Sequence, residues 1–557
     1  MRRSWLAVML IAMVMELAVG GASRAEPHSG PAAVAANPAP PPLDQGLGHW
    51  HWTVSTQVPP AQQYFDQGLR LLYAFNPEEA EKSFREAARL DPQCAMCRWG
   101  VAISNGNNIN VPRLPWRDST EYAETQIARG LEAHANPKEQ GLIEALARRT
   151  SMVPPSRPED GAALDKAYSD AMRELAKQYP DDADVQTLFA ESLMDLYPWH
   201  LWTPDLKPSP VTPELIATLE GVLKKTPDHP GANHFYIHTM EASAHPEKAV
   251  PSAERLRGKT PNAGHLVHMP SHIFERVGRY SEALESNRQA VKVDEAYFAG
   301  PNPGMLYTPY LAHNRQFMSY TAMIQGRYAE SIAAAHAAAG TVPLEMLGMM
   351  PGMDFFCVTP YAVEIKFGRW DEALAEPMPP AQLIYTDAFW HFARAMAYAG
   401  KGDFAKSSAE HDSLTYLRDA LAENAPEGNN SARTLLEIAR HTLDGFVARS
   451  KQDWPAAIDE FQQAVKLEDG LNYNEPPDWL LFPRHDLGTA LLAAGRAAEA
   501  EAVFRADLAN HVETGWGLQG LASALRAQKK SAEADRVAAR FQKAWNTADT
   551  KITAAAF

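Results

Sequence analysis

Cysteine is nearly absent, cationic residues are in deficit, and long apolar runs are missing from all but the first residues. Three cysteines in 557 residues exclude a fold framed by disulfides. Lysine and arginine number 52 against 68 aspartates and glutamates, a formal charge of −16, so no basic surface is on offer to a nucleic-acid backbone or an anionic membrane leaflet. Nucleic acid is therefore not expected as a partner. Beyond residue 26 no apolar run approaches the roughly 20 residues that a bilayer-spanning helix needs. Alternating apolar and polar residues, the mark of half-buried strands, are also scarce from Tyr64 onward, which leaves helices as the expected element.

The first residues read as a targeting signal. Arg2 and Arg3 precede an apolar run from Trp5 to Val19, interrupted by Glu16, and Ser23-Arg24-Ala25 ends on a small residue of the kind signal peptidase prefers. The expectation is a signal peptide over 1–25 and a periplasmic or secreted protein with no transmembrane anchor after cleavage. No cysteine follows the run, so lipid anchoring is not indicated. Pro31 to Gly48 is rich in proline and alanine and reads as a linker without a fold of its own, within a lead-in segment 26–60.

A longer period then emerges. In FDQGLRLLYAFNPEEAEKSFREAARLDP, Gly68 is followed by Ala80, Phe84, Ala87 and Pro92, and the same intervals return at Gly445, Ala457, Phe461 and Ala464, at Gly488, Ala500 and Phe504, and at Gly520 and Ala532. Looser copies are marked by GRYSEA, GRYAES, GRWDEA and GDFAKS, each read as the turn inside a helix pair. This pattern resembles the tetratricopeptide repeat (TPR), in which two antiparallel helices of a ~34-residue unit lock through small and aromatic residues. The resemblance implies an all-α, TPR-like solenoid with a concave groove, because one helix pair cannot cover its own apolar face and must stack on its neighbours. It covers most of residues 60–545: N-terminal repeats with insertions over 61–227, central repeats over 228–340, C-terminal repeats over 341–545, and a tail over 546–557. The best fit is expected over roughly 435–545. Insertions stand at SMVPPSRPEDG after Thr150 and at Tyr197 to Pro213, the second rich in tryptophan and proline.

Two polar motifs sit inside this frame, one ~34-residue repeat apart. HFYIHTME carries His234, His238 and Glu241; HMPSHIFE carries His268, His272 and Glu275. Spacings of four and three put all three side chains on one helix face. The TPR resemblance implies that they occupy groove-lining positions of successive first helices, with His265 and His313 at a further groove position of their own repeats. The first repeat lacks the motif, holding Phe65 and Leu69 at the equivalent places. Packed helices lie ~8 to 10 Å apart, near enough for neighbouring imidazoles to share an ion at ~2.0 to 2.1 Å.

A single histidine on a helix is ordinarily a hydrogen-bonded structural residue, but seven of the 19 histidines fall between His229 and His272. His234, His238, His265, His268, His272, His313, Glu241 and Glu275 are therefore the candidate metal ligands. Imidazole with carboxylate suits Zn, Cu, Fe, Ni or Mn. The two glutamates are ligands, partners of the imidazoles, or a general base, and so the candidate catalytic residues. Asn233, Tyr236, Asn287, Asp294, Tyr310 and Asn314 are candidate supports, and His200 in the aromatic insertion a candidate addition. The spacing is not that of a zinc peptidase. Three functions follow: metal binding in the groove, a metal-dependent enzyme acting there on a small substrate, or a scaffold whose histidines meet a partner's acidic or C-terminal peptide. Cys94 and Cys97 are expected to form a local disulfide, and Cys357 to be a small buried residue.

Overall fold

Helix starts are written locally in the sequence. Asn76 caps the helix Pro77–Leu90 by accepting from the Glu79 amide, with proline in the first turn, and Asp182, Asp403 and Asp453 cap later helices in the same way. The turns inside the loose repeats fall at Gly278 and Gly326, with φ of 78° and 70°, a left-handed conformation that costs glycine nothing. The structure, a computed structural model, describes residues 40–556, and the expected signal segment 1–25 lies outside them. Among the described residues the chain is a succession of helices, with one two-residue hairpin pairing Pro426–Glu427 with Asn430–Ser431.

Pairs such as Pro59–Tyr73 with Pro77–Leu90, and Ala432–Ser450 with Trp454–Glu468, form the expected hairpins. Their lock is a glycine facing an aromatic ring. A Cβ on Gly68 would lie 2.8 Å from Phe84, and one on Gly445 2.7 Å from Phe461. Both rings are fully buried, each burial contributing about 1.5–3 kcal/mol. The molecule is an all-α, TPR-like solenoid. Phe84 also faces Gly100 in the next helix, and Phe504 faces both Gly488 and Gly520, so each ring joins successive hairpins. Gly520 therefore serves the preceding repeat. In the last repeat the small residues inside the pair are the fully buried Ala522 and Ala534, two residues beyond the expected Gly520 and Ala532.

Distant parts of the chain meet. Asn262 donates from its amide to the Gly46 carbonyl at 3.0 Å, and Leu47, Trp52 and Val54 are buried, so from residue 40 the expected linker is packed against the solenoid. The connection after helix Tyr280–Phe298 returns to the first hairpin, where the Leu306 amide donates to Glu78 Oε2 at 2.8 Å and Lys82 Nζ donates to the Asn302 carbonyl at 2.9 Å. At the other end, Asp549 accepts from the Tyr328 and Ala329 amides at 2.7 and 2.9 Å. One large apolar cluster runs from Leu47 to Tyr310 and another from Tyr280 to Ala555. The central repeats are shared between them.

Candidate metal centre

Three stretches of helix present the histidines: Pro230–Glu241, the pair Gly264–His268 and Pro270–Arg276, and Thr308–Ile324. Pro270 removes an amide donor and breaks the middle stretch, so His268 and His272 straddle the break. The six rings sort into two groups, His234 with His238 and His265, and His268 with His272 and His313. Within each group a ligand atom from every residue lies within 4.8 Å of the others. The groups adjoin, with ring centroids 5.7 Å apart for His238 and His272 and 5.8 Å apart for His265 and His268. Each combines an i, i+4 pair with one histidine from the next of these three stretches.

The hydrogen bonds at the back of four rings decide what points inward. Nδ1 of His234 meets the Tyr73 carbonyl at 2.7 Å, and Nδ1 of His238 meets Glu241 Oε1 at 3.0 Å. Nδ1 of His268 meets Asn287 Oδ1 at 2.7 Å, the amide being oriented by donation from Asn287 Nδ2 to the Ala283 carbonyl. Nδ1 of His272 faces two carboxylates, Glu475 Oε2 at 3.0 Å and Glu241 Oε2 at 2.7 Å. These partners only accept, so each Nδ1 carries the proton, and a neutral ring then offers its Nε2 lone pair. The Nε2 atoms converge. His268 is 2.6 Å from His272 and 3.1 Å from His313, and His234 is 3.1 Å from His265. His238 Nε2 is buried with no hydrogen-bond partner. Between His268 and His272, whose Nδ1 atoms both face acceptors, the close Nε2 approach needs a proton or a metal ion, whereas His265 and His313 can meet their neighbours as neutral rings that donate from Nε2.

The charges follow from burial and from two glutamates. Burial and neighbouring rings hold His234, His265 and His268 well below the ordinary imidazole range, and His313 down to about 3. Burial acts on His272 in the same direction, but Glu241 and Glu475 carry it up to about 10. Burial would raise Glu241, yet His272 and His238 hold it down at about 2. Glu241 thus stands as an anion between the two groups. The walls are aromatic: Phe75 lies 4.5 Å from His234, Trp199 5.9 Å from His238, Tyr310 4.7 Å from His265, and Phe317 5.3 Å from His268.

Glu275 stands outside both groups although it repeats the place of Glu241. Its counterpart role at His272 is taken by Glu475, which accepts from Tyr473 in the connection between helices Trp454–Glu468 and Pro483–Ala493. Burial next to Glu475 pushes the Glu275 carboxyl well above its usual range. Among the expected supports, Asn287 and Tyr310 touch the histidines. Asn233 bonds to the Pro227 and His229 carbonyls, Tyr236 to Glu220, and Asn314 to Asp294. His200 is exposed, while its neighbour Trp199 reaches His238. Cys94 and Cys97 form a disulfide at the start of helix Ala95–Ser104, and Cys357 is half-buried. Sequence reasoning missed Glu475, Tyr473 and Phe75; only the length of the interruption between Glu468 and Pro483 hinted at the first two.

No protein-family model and no curated protein matches the chain. Among solved structures, the human IFIT1 dimer with PPP-AAAA aligns over 86% of this chain and 88% of its own, at 13% identity and a TM-score of 0.32. A chain of the APC/C hetero-tetramer Cut9–Hcn1 aligns over 88% and 74% at 12% identity and 0.32, and yeast Tom70 over 87% and 93% at 11% and 0.29. Scores this low carry no argument about this chain. The TPR-like solenoid rests on its own helix pairs and glycine–phenylalanine contacts, and no helix among the described residues is long and apolar enough to cross a membrane.

Proposed function

We propose that this protein binds two adjacent transition-metal ions, one held by His234, His238 and His265, the other by His268, His272 and His313, with Glu241 and Glu475 behind the imidazoles. The observation that carries the reading is the set of fixed acceptors at Nδ1 of His234, His238, His268 and His272, which leaves Nε2 as the atom each of these rings offers to an ion. A second set of contacts that fixes ring tautomer and orientation is what metal-ligating histidines ordinarily have. Sites with imidazole donors suit Zn, Cu, Fe or Ni better than hard oxygen-seeking ions. Three protein ligands leave a coordination position for water or another small molecule, and an ion there would supply Lewis-acid chemistry.

Burial argues against a peptide lying on these histidines, since His234, His265, His268 and His272 are at most 2% exposed. His313 is the half-buried member and marks the accessible side. An exported location belongs to the same reading and is tested by fractionation and N-terminal sequencing of the mature chain. For the metal, protein purified from its native compartment is expected to hold about two equivalents by elemental analysis. His234→Ala and His268→Ala should each lose about one. A wild-type protein that arrives metal-free, and after chelation takes up no Zn²⁺, Cu²⁺, Fe²⁺ or Ni²⁺ at micromolar concentration, overturns the proposal.

A further inference from the structure

A second cluster of ligand-type side chains lies away from this centre and shares no residue with it. His336 belongs to helix Tyr328–Ala339, Glu364 to helix Thr359–Lys366, and Glu376 caps the C-terminus of helix Trp370–Ala375. One ligand atom from each lies within 4.8 Å of the other two, and His336 Nε2 is 3.3 Å from Glu376 Oε1. Glu364 is 2% exposed, and its Oε2 is buried with no hydrogen-bond partner. Neither Glu364 nor Glu376 has an ion pair with a lysine or arginine among the described residues; His336 is the one basic group against them. Glu364 stands beside the Glu376 carboxyl, and two carboxylates side by side in the protein are costly unless a proton or a cation lies between them. Burial and the adjoining Glu376 push the Glu364 carboxyl up to about 9. A positive charge placed between the two carboxylates would remove that cost.

The Glu376 backbone is held in place as well, its carbonyl accepting from Trp390 Nε1 at 3.1 Å. His336 comes from a third helix, with half its side chain in solvent. The three groups thus converge from three separate helices and leave one flank open to water.

We propose that His336, Glu364 and Glu376 form a separate, solvent-facing site for a divalent transition cation of the Zn²⁺ class. One imidazole with two carboxylates matches the ligand preferences of such ions, and the open flank makes the ion exchangeable. The site ties helices Tyr328–Ala339 and Thr359–Lys366 to the end of Trp370–Ala375.

The test is Zn²⁺ binding by equilibrium dialysis on chelator-treated full-length protein. His336→Ala and Glu364→Gln are compared with wild type. His336 is the safer variant, because its exposed ring leaves the core untouched, and unchanged circular dichroism and metal-free melting should confirm that. The expected result is that both variants lose one equivalent of Zn²⁺, or bind it roughly tenfold or more weakly, whatever the occupancy of the histidine centre. Equal stoichiometry and affinity in wild type and His336→Ala overturn the proposal, and a proton shared by the two glutamates then accounts for the cluster. Loss of this equivalent while the histidine centre stays loaded separates the two readings from each other.

Discussion

At the scale of single residues, Glu241 is the most consequential side chain of the centre. It accepts from His238 and stands against His272, so it orients one ring of each group. Glu241→Gln is expected to weaken metal binding 10- to 100-fold in competition with a chromophoric chelator, whereas Glu275→Gln should leave affinity within about threefold. The difference between these two glutamates was not legible in the sequence, where they occupy equivalent places. The histidines were legible because i, i+4 spacing survives in any helix, and a repeat carries it from one hairpin to the next. Glu475 was not, since it reaches His272 from a connection 203 residues away that follows no period.

Asp294 provides a residue-scale test away from the histidine clusters. Burial carries its carboxyl up to about 7, although Asn314 Nδ2 donates to it at 2.6 Å. The folded state therefore binds a proton that the unfolded chain, with its ordinary value of 3.8, has released. Stability from this group is fully present below that unfolded value and is lost as pH rises through about 7. Asp294→Asn should remove the loss. Relative to wild type, its melting temperature is expected to rise between pH 5 and pH 8, by an amount corresponding to about 1.4 kcal/mol for each tenfold difference in proton affinity abolished. A pH-independent difference between the two proteins contradicts this.

At the scale of elements, the glycine–ring locks explain why hairpins could be read from spacing. A methyl group on Gly445 would meet the buried Phe461 ring at 2.7 Å, whereas nothing lies within 4 Å of a methyl group on Gly221 in helix Thr212–Lys225. Gly445→Ala is expected to destabilise by about 1–3 kcal/mol, and Gly221→Ala to stabilise by about 0.5–1 kcal/mol. Urea midpoints at constant slope measure both. The same lock explains the misplaced register of the last repeat. Small residues are needed on both sides of Phe504, in its own hairpin and in the next one, and spacing alone does not say which side a glycine serves.

At the scale of the whole molecule, the chain coils back on itself, and the candidate metal centre lies where the first hairpin and a late connection meet the central helices. Phe75 comes from the first hairpin and Glu475 from the far repeats, while the histidines come from the middle. A bound ion should therefore stabilise the whole molecule. At a free metal concentration 100 times Kd, a ligand binding only the folded state contributes about 2.7 kcal/mol per site. Thermal melts across a metal titration are expected to rise with concentration, and in a His234→Ala/His268→Ala variant that retains its metal-free melting temperature the rise should shrink to the part that the His336 site contributes. This closure was invisible in the periodicity, which describes each hairpin and its neighbours but not where a long stack turns back to meet itself.

That closure has an evolutionary corollary. An open stack of hairpins tolerates gain or loss of a unit, because each touches only those beside it. Here the chain between His272 and Glu475 has to arrive back at its starting place. One additional hairpin anywhere in that span would rotate and translate the returning carboxylate away from the imidazole it supports. Relatives that keep this centre should therefore vary in the lengths of their outward-facing turns while preserving the number of hairpins between these two residues.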